Sequence, residues 1–446
     1  MSETQDGLPQ PRRALAVAAI LASIVMTVLD GAMLGVALPG MARELGVSAS
    51  AATWLMNAYQ LTVVTTLLPL AALGESMGFR RVFLAGFGVF SLASLGSSLA
   101  GDYTTLLLCR MAQGLGSSAV MSLTAGLIRY TYPARQLGQA IGINALTVAI
   151  ASSAAPTLAA AILAVGSWHW LFLVNVPVGL AGMALGWRVL PDPPGTGRRF
   201  DWTGTGLNIA SFGLFFLGID LLLTVPVAGV PLLALGLGTG WLHVRRELTK
   251  PVPLLPLDLL RMRVVATAVA ASILAFAAWY ASYIALPFLL QSAGRSQVET
   301  GLLMTPWPAA LAVVAPVAGR LSDRMPTATL ASGGMLVMAA ALLVVALLPP
   351  GGAVPWLVAA IACCGIGFGF FQTPNNRTML AAAPKARSGG AGGMQATARL
   401  LGTTLGTTVL AVAFQLAPEN GPLLGLGAAV VFAIASATLS LSRRGL

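Results

Sequence analysis

Charge is what this chain has least of. Only 9% of its 446 residues are Asp, Glu, Lys or Arg, against about 25% in a soluble domain. Most of such a chain cannot face water. Histidine occurs twice, at His169 and His243, which leaves no basis for a histidine proton relay. Cys109, Cys363 and Cys364 all lie in apolar runs and offer neither a disulfide framework nor metal-ligand spacing. There is no Gly-x-x-x-x-Gly-Lys phosphate cradle, so ATP is not the expected driving force. Nothing in the chain points to an enzyme, a cofactor or a bound metal.

What the chain has is hydrocarbon. It is 57% hydrophobic, with a mean hydropathy of +0.84. A membrane-spanning helix needs about 20 apolar residues. Fourteen segments qualify: 14–39, 51–72, 82–100, 104–128, 138–164, 168–190, 202–222, 225–243, 264–290, 298–320, 328–348, 353–373, 388–416 and 420–441. The first is too long for a signal-peptide core and reads as a retained span. Long apolar runs, rather than short alternating segments, exclude an outer-membrane barrel. The stretch 202–243 is too long for one crossing, and Pro226 and Pro231 suit a tight hairpin within it.

The net charge of +11 would suggest a nucleic-acid partner in a soluble protein. Its placement gives a different reading. With the N-terminus inside, the inner segments hold 21 of the 25 Lys and Arg residues. The outer loops hold Arg43 and Arg295, and Arg110 and Arg399 lie within spans. This positive-inside split predicts a multi-pass protein of the inner (plasma) membrane with both termini cytoplasmic. Merging 202–243 into one span would put the Arg245–Arg263 cluster outside. No nucleic-acid partner is needed.

The loop after the second span, Leu73-Gly74-Glu75-Ser76-Met77-Gly78-Phe79-Arg80-Arg81, has an echo after the tenth, Gly319-Arg320-Leu321-Ser322-Asp323-Arg324. Each puts an acid beside arginines at an inner turn. That predicts an all-α integral membrane protein with two six-helix bundles, residues 1–195 and 251–446, flanking an inserted hairpin, 196–250. Repeated halves with substrate held between them are the mark of secondary transporters.

Asp30 stands out against this background, because it sits inside the first apolar run. A carboxylate in hydrocarbon costs roughly 2.5–3.5 kcal/mol on insertion scales. An acid that persists there is expected to face a polar cavity or a partner charge.

These residues resemble the major facilitator superfamily, and within it the fourteen-helix drug–proton antiporter branch. Leu29-Asp30 with Val36-Ala37-Leu38-Pro39 looks like that branch's first-helix motif. Trp54, Tyr59 and Leu61 match its second helix, and Ala71 to Arg81 the superfamily's loop motif. Arg110-Met111-Ala112-Gln113-Gly114 matches the fourth-helix arginine motif. Trp168 to Gly179, Pro253 to Arg263, Gln291 with Gly301 and Pro306, and Arg399 with Gly402 and Gly406 are similar to further branch signatures. There are departures. Ala71, Glu75 and Ser76 replace Gly, Asp and Arg in the loop motif. The fifth helix reads Ala155-Pro156-Thr157-Leu158-Ala159-Ala160 where exporters have Gly-Pro-x-x-Gly-Gly.

The resemblance implies a monomer that expels amphipathic organic compounds in exchange for protons, with the lipid bilayer and a small organic substrate as its partners. A metabolite importer or uniporter is the alternative, since the helix-5 glycines are missing. A non-transporting receptor or assembly subunit is the alternative from another class. In the resembled fold helices 1 and 4 are neighbours. By helical rise Asp30 lies roughly 13 Å below Pro39, and Arg110 roughly 9 Å below the start of its span. The two are therefore expected to interact and to couple to protons. Pairing favours the charged carboxylate and desolvation the neutral acid. The expected substrate cavity comprises Tyr59, Gln60, Gln113, Asn144, Trp279, Tyr283, Gln372 and Arg399. The expected conformational lock comprises Glu75, Arg80, Arg81, Asp323 and Arg324. Asp220, near the outer end of the inserted hairpin, is expected to be interfacial.

Overall fold

The computed structural model describes residues 7–133, 136–193, 200–250, 257–322, 324–348, 354–382 and 388–445. Among them every regular element is helical. That is the simplest way to satisfy backbone amides and carbonyls where no water is present.

The helices are α1 (Arg12–Glu44), α2 (Ala49–Met77), α3 (Phe79–Ser98), α4 (Tyr103–Thr131), α5 (Leu137–Val165), α6 (His169–Leu173), α7 (Asn175–Val189), α8 (Trp202–Thr224), α9 (Pro226–Leu248), α10 (Leu257–Leu260), α11 (Arg263–Ser292), α12 (Gln297–Met304), α13 (Pro306–Leu321), α14 (Thr327–Leu347), α15 (Val354–Ala382), α16 (Ser388–Leu416) and α17 (Gly421–Leu441). Thirteen segments among the described residues are long and apolar enough to cross a membrane. With α5 they give the fourteen expected crossings. Two crossings are broken helices. Pro177 removes the amide that would bond to the Leu173 carbonyl, and α6 ends at Leu173. Pro306 and Pro308 do the same to Leu302 and Met304, and α12 ends at Met304.

One boundary differs from the sequence reading. Pro39 does not mark the end of the first span, because α1 runs through it to Glu44 and takes Arg43 into its last turn. Losing one hydrogen bond is tolerated in a helix held by neighbours on several sides. Capping fixes several starts. Ser48 accepts from the Ala51 amide, Asp102 from Thr105, Asp201 from Gly204, and Ser296 forms a capping box with Glu299.

The end of the molecule where α1 begins and α17 finishes is called basal here, and the opposite end distal. Helices α1 to α7 pack among themselves, as do α11 to α17. The proposed boundary at 195/196 lies outside the described residues, and that at 250/251 falls where they break off after Lys250. The two sets meet where α1 touches α11, α2 touches α16, and α5 touches α12 and α13. One continuous core crosses this seam at the distal end, joining Met33, Leu34 and Leu38 of α1 to Phe276, Ile284 and Leu286 of α11. A second core lies at the basal end of the first set, around Phe83, Phe87 and Leu123.

The hairpin of α8 and α9 packs by α8 onto α2 and α16. At its basal end Asp201 takes bonds of 2.9 and 3.0 Å from Arg246 and a further one from Lys250. Burial alone would raise the Asp201 carboxyl, but these cations and the Gly204 amide outweigh it and hold it well below the ordinary carboxylate range.

Small residues set the seam within the second set. A Cβ on Gly406 of α16 would sit 2.4 Å from the Ala277 carbonyl oxygen of α11, which is backbone and cannot step aside. Gly427 of α17 has nothing within 4 Å. Gly406→Val should therefore lower stability by about 1–3 kcal/mol and deplete the monodisperse peak in detergent chromatography. Gly427→Ala should leave that peak unchanged. Equal behaviour of the two variants would contradict the close α11–α16 approach.

Candidate functional site

Asp30 is 3% exposed and Arg110 is fully buried. Arg110 Nη1 donates to Asp30 Oδ2 at 2.6 Å. Helix α4 thus supplies the partner that α1 lacks. The carboxylate has two further donors. Gln113 Nε2 reaches Oδ1 at 3.2 Å, and Asn175 Nδ2 reaches it at 2.9 Å. Arg110 and Gln113 are three apart on α4, so they present to the same side. Arg110 Nη1 also donates to Gln113 Oε1 at 2.8 Å, and Arg110 Nε to the Leu55 carbonyl at 3.2 Å. Gln113 Nε2 extends the network to Ser94 Oγ at 2.8 Å. Four helices, α1, α3, α4 and α7, thereby meet on one carboxylate network.

The aromatic wall is Tyr59. The Arg110 guanidinium carbon lies 4.4 Å from its ring centre, within cation–π range. Its hydroxyl donates to Ser117 Oγ at 2.7 Å. On its other side are residues of the second set. Arg399 of α16 lies near Tyr59 and Tyr280, and Gln60 of α2 lies near Tyr280 of α11. Asn57 of α2 accepts from Thr407 of α16. The first set's charge network is thus one residue, Tyr59, away from the seam. Arg110 Nη2 is buried without a hydrogen-bond partner.

The other expected cavity residues are spread more widely. Tyr283 is buried with its ring edge-on to Trp307, and its hydroxyl donates to the Ala32 carbonyl at 3.4 Å, closing the α1–α11 contact. Trp279 packs on Phe276 and Phe368, with ring centres 5.7 and 4.6 Å away. That places it in an aromatic cluster of the second set. Asn144 on α5 and Gln372 on α15 are half-buried.

Of the expected lock residues, Arg80 pairs with Asp192 at 3.8 Å and donates to the Trp187 carbonyl, both within its own set. Glu75, Arg81 and Arg324 are exposed at the basal end. Asp323 lies outside the described residues.

Two polar groups escaped the sequence reading. Asn175 sits in the WHWLFLVNVPVG stretch but was read only as part of a signature. An amide inside an apolar span was its signal. Tyr280 is not among the expected cavity residues, yet it lies near both Gln60 and Arg399. The altered helix-5 motif also has a visible role. A Cβ on Gly301 would lie 2.6 Å from the Pro156 carbonyl oxygen and 2.8 Å from Ala160 Cβ. Ala155, Ala159 and Ala160 thus still permit close approach across the seam.

Removing one partner of a buried ion pair strands the other. Arg110→Ala should cost about 3–5 kcal/mol of stability. Adding Asp30→Asn to it should recover a large part, read as melting temperature in detergent. A double variant no more stable than Arg110→Ala would show that the Gln113 and Asn175 donors suffice to hold the carboxylate without Arg110.

The Major Facilitator Superfamily profile matches residues 20–407. The chain is 42% identical over 444 residues to the uncharacterized transporter YebQ of Escherichia coli, covering 98% of this chain and 96% of that protein. It is 29% identical to the riboflavin transporter RibZ of Clostridioides difficile, covering 87% and 85%. It is 27% identical to the tetracenomycin C resistance and export protein of Streptomyces glaucescens, covering 88% and 74%. Among solved structures, a bacterial homolog of the human lysosomal transporter Spinster, inward-facing and unoccupied, superposes with a TM-score of 0.69 at 16% identity. The match covers 98% of this chain and 97% of that one. With its helical layout and this match over most of its length, the chain belongs to the Major Facilitator Superfamily.

Proposed function

We propose that this transporter belongs to the fourteen-helix drug–proton branch and exports amphipathic organic compounds in exchange for protons. The observation that carries the reading is the buried Asp30–Arg110 pair, one residue from the seam. Ionised, Asp30 neutralises Arg110. Protonated, it leaves the guanidinium buried and uncompensated, a state costly enough to favour a rearrangement in which Arg110 finds water or another acceptor. The halves then rock, and the site faces the opposite side. Among the relatives, the tetracenomycin C protein is named for resistance and export.

The distribution of arginines supports cytoplasmic termini in the plasma membrane, with the basal end inside. We place the lock at Glu75, Arg80, Arg81, Asp323 and Arg324. Arg80 is engaged within its own set while the distal seam is closed. The cavity would be lined by Tyr59, Gln60, Gln113, Asn144, Trp279, Tyr283, Gln372 and Arg399, an aromatic and amide surface suited to amphipathic molecules. Similarity to a riboflavin transporter gives metabolite uptake or uniport as a second reading. Counterflow with and without a pH gradient separates the two.

The test uses everted vesicles with a preset pH gradient, screened against a panel of amphipathic compounds. A transported compound should collapse the gradient in wild type. Asp30→Asn should reduce that collapse to background, with folded protein present at wild-type levels. Full proton-coupled transport by Asp30→Asn would defeat the reading.

A further inference from the structure

We propose that the inserted hairpin holds one anionic phospholipid, with its acyl chain in a groove between α8 and α9 and its phosphate on Arg245. The site lies outside the Asp30 network and does not depend on what the transporter carries.

Helix α8 is seated on both sets. Asn208 donates to the Thr65 carbonyl of α2 at 2.6 Å, and Gln415 of α16 donates to Asp220 at 3.1 Å. Asp220 is thus buried against α16, and not interfacial as the sequence suggests. Helix α9 packs on α8 and leaves Leu237, Trp241 and Val244 exposed. Glycines hold the two helices together over their distal half. A Cβ on Gly218 or Gly236 would lie 2.5 Å from backbone of the opposite helix, and one on Gly229 2.6 Å. At the basal end Asp201 ties α8 to α9 through Arg246 and Lys250. Between these two attachments the helices part. A Cβ on Gly240 would meet nothing nearer than Ser211 Cβ at 3.6 Å. The opening is a groove of about 440 Å³.

Phe212 and Phe215 form one wall of the groove, and Leu237, Trp241 and Val244 the other. Such a slot takes hydrocarbon. One side is nevertheless polar. His243 lines the groove, is 3% exposed, and has an Nδ1 with no hydrogen-bond partner. An imidazole nitrogen donates or accepts according to its tautomer, so it can meet an ester carbonyl or a hydroxyl. His243 lies about 8 Å in from the end of α9. That matches the polar layer of a bilayer, about 5–8 Å deep on each side.

Arg245 supplies the charge. It is exposed one turn below Trp241, with its guanidinium carbon 4.4 Å from the centre of that ring. The neighbouring cations Arg246 and Lys250 are paired with Asp201 and Glu247. Arg245 takes part in none of the ion pairs among the described residues. The basal mouth of the groove therefore carries one uncompensated positive charge. Its occupant must be apolar along its length, polar near one end and anionic at the tip. A phospholipid with an anionic headgroup meets all three requirements.

The experiment titrates delipidated full-length protein in detergent with phosphatidylglycerol or phosphatidylcholine of identical acyl chains. Native mass spectrometry counts the lipids retained, and chromatography checks that each variant is folded. Wild type should retain one phosphatidylglycerol in preference to phosphatidylcholine. Gly240→Leu fills the groove and should lose that lipid. Gly238→Leu, at a position with nothing within 4 Å and outside the groove lining, should keep it. Arg245→Gln should lower the preference for phosphatidylglycerol by about fivefold. The proposal is overturned if wild type shows no preference, if Gly240→Leu retains as much lipid as Gly238→Leu, or if Arg245→Gln keeps the full preference. It is equally overturned if Gly240→Leu turns a dimer into a monomer at unchanged lipid content, which would make the groove an interface between copies. Retention is read without transport, so its failure leaves the Asp30 gradient assay untouched.

Discussion

The structure depends on one constraint: a charge in hydrocarbon must find its opposite within hydrogen-bond reach. Asp30 and Arg110 satisfy it at 2.6 Å. Meeting it fixes more than two side chains. Gln113 and Asn175 must sit close enough to fill the remaining carboxylate sites, and Ser94 must satisfy Gln113. The relative positions of α1, α3, α4 and α7 follow from that single network. Apolar packing between helices in a bilayer has no comparable specificity, because lipid tails are as apolar as leucine. Polar contacts therefore set the register, and small residues set the distance.

That division explains what the sequence could and could not say. Crossing helices were legible because length and hydropathy are one-dimensional properties, and a backbone in lipid has few alternatives to a helix. Asp30 and Arg110 were legible because charges are rare enough there to be matched by depth. The faces of the helices were not. A span surrounded by lipid on one side and protein on the other is apolar all round, so no amphipathic stripe marks its inner side. Asn175 shows the consequence: its residue type is readable, but its rotation toward Asp30 depends on the break at Val174 and Pro177. The continuation of α1 past Pro39 was hidden for a related reason. A proline that ends an isolated helix is carried here by packing from α11 and α12. The seat of α8 against both α2 and α16 has no signature in its own sequence beyond Asp220 and Asn208, which become informative only once their partners are known.

The seam joins these elements to a mechanism. It is built from small residues at Gly301 and Ala160, hydroxyls at Thr157 and Thr305, and backbone-directed amides such as Gln291 on the Val36 carbonyl. None of these contacts carries charge, so none is costly to break. The charged groups lie beside the seam. Such a surface can part and close again while the Asp30–Arg110 pair stays within one set.

Under the proposed proton coupling, the charge count at the centre would link the sign of the substrate to the direction of coupling. Arg110 and Arg399 both lie near Tyr59, and Asp30 is the single acid beside them among the described residues. With Asp30 ionised the centre carries one net positive charge; with Asp30 protonated it carries two. A cationic compound is repelled less when the proton has left, so proton and compound exclude one another, which is the condition for exchange. An anionic compound is held better when the proton is present, so the two travel together. A neutral compound feels the proton only through the donors it offers or takes, and Arg110 Nη2, buried without a partner, is the donor that protonation of Asp30 makes most in need of one. Export driven by protons therefore fits a cationic or neutral amphipathic compound in this site, and an acidic one fits uptake.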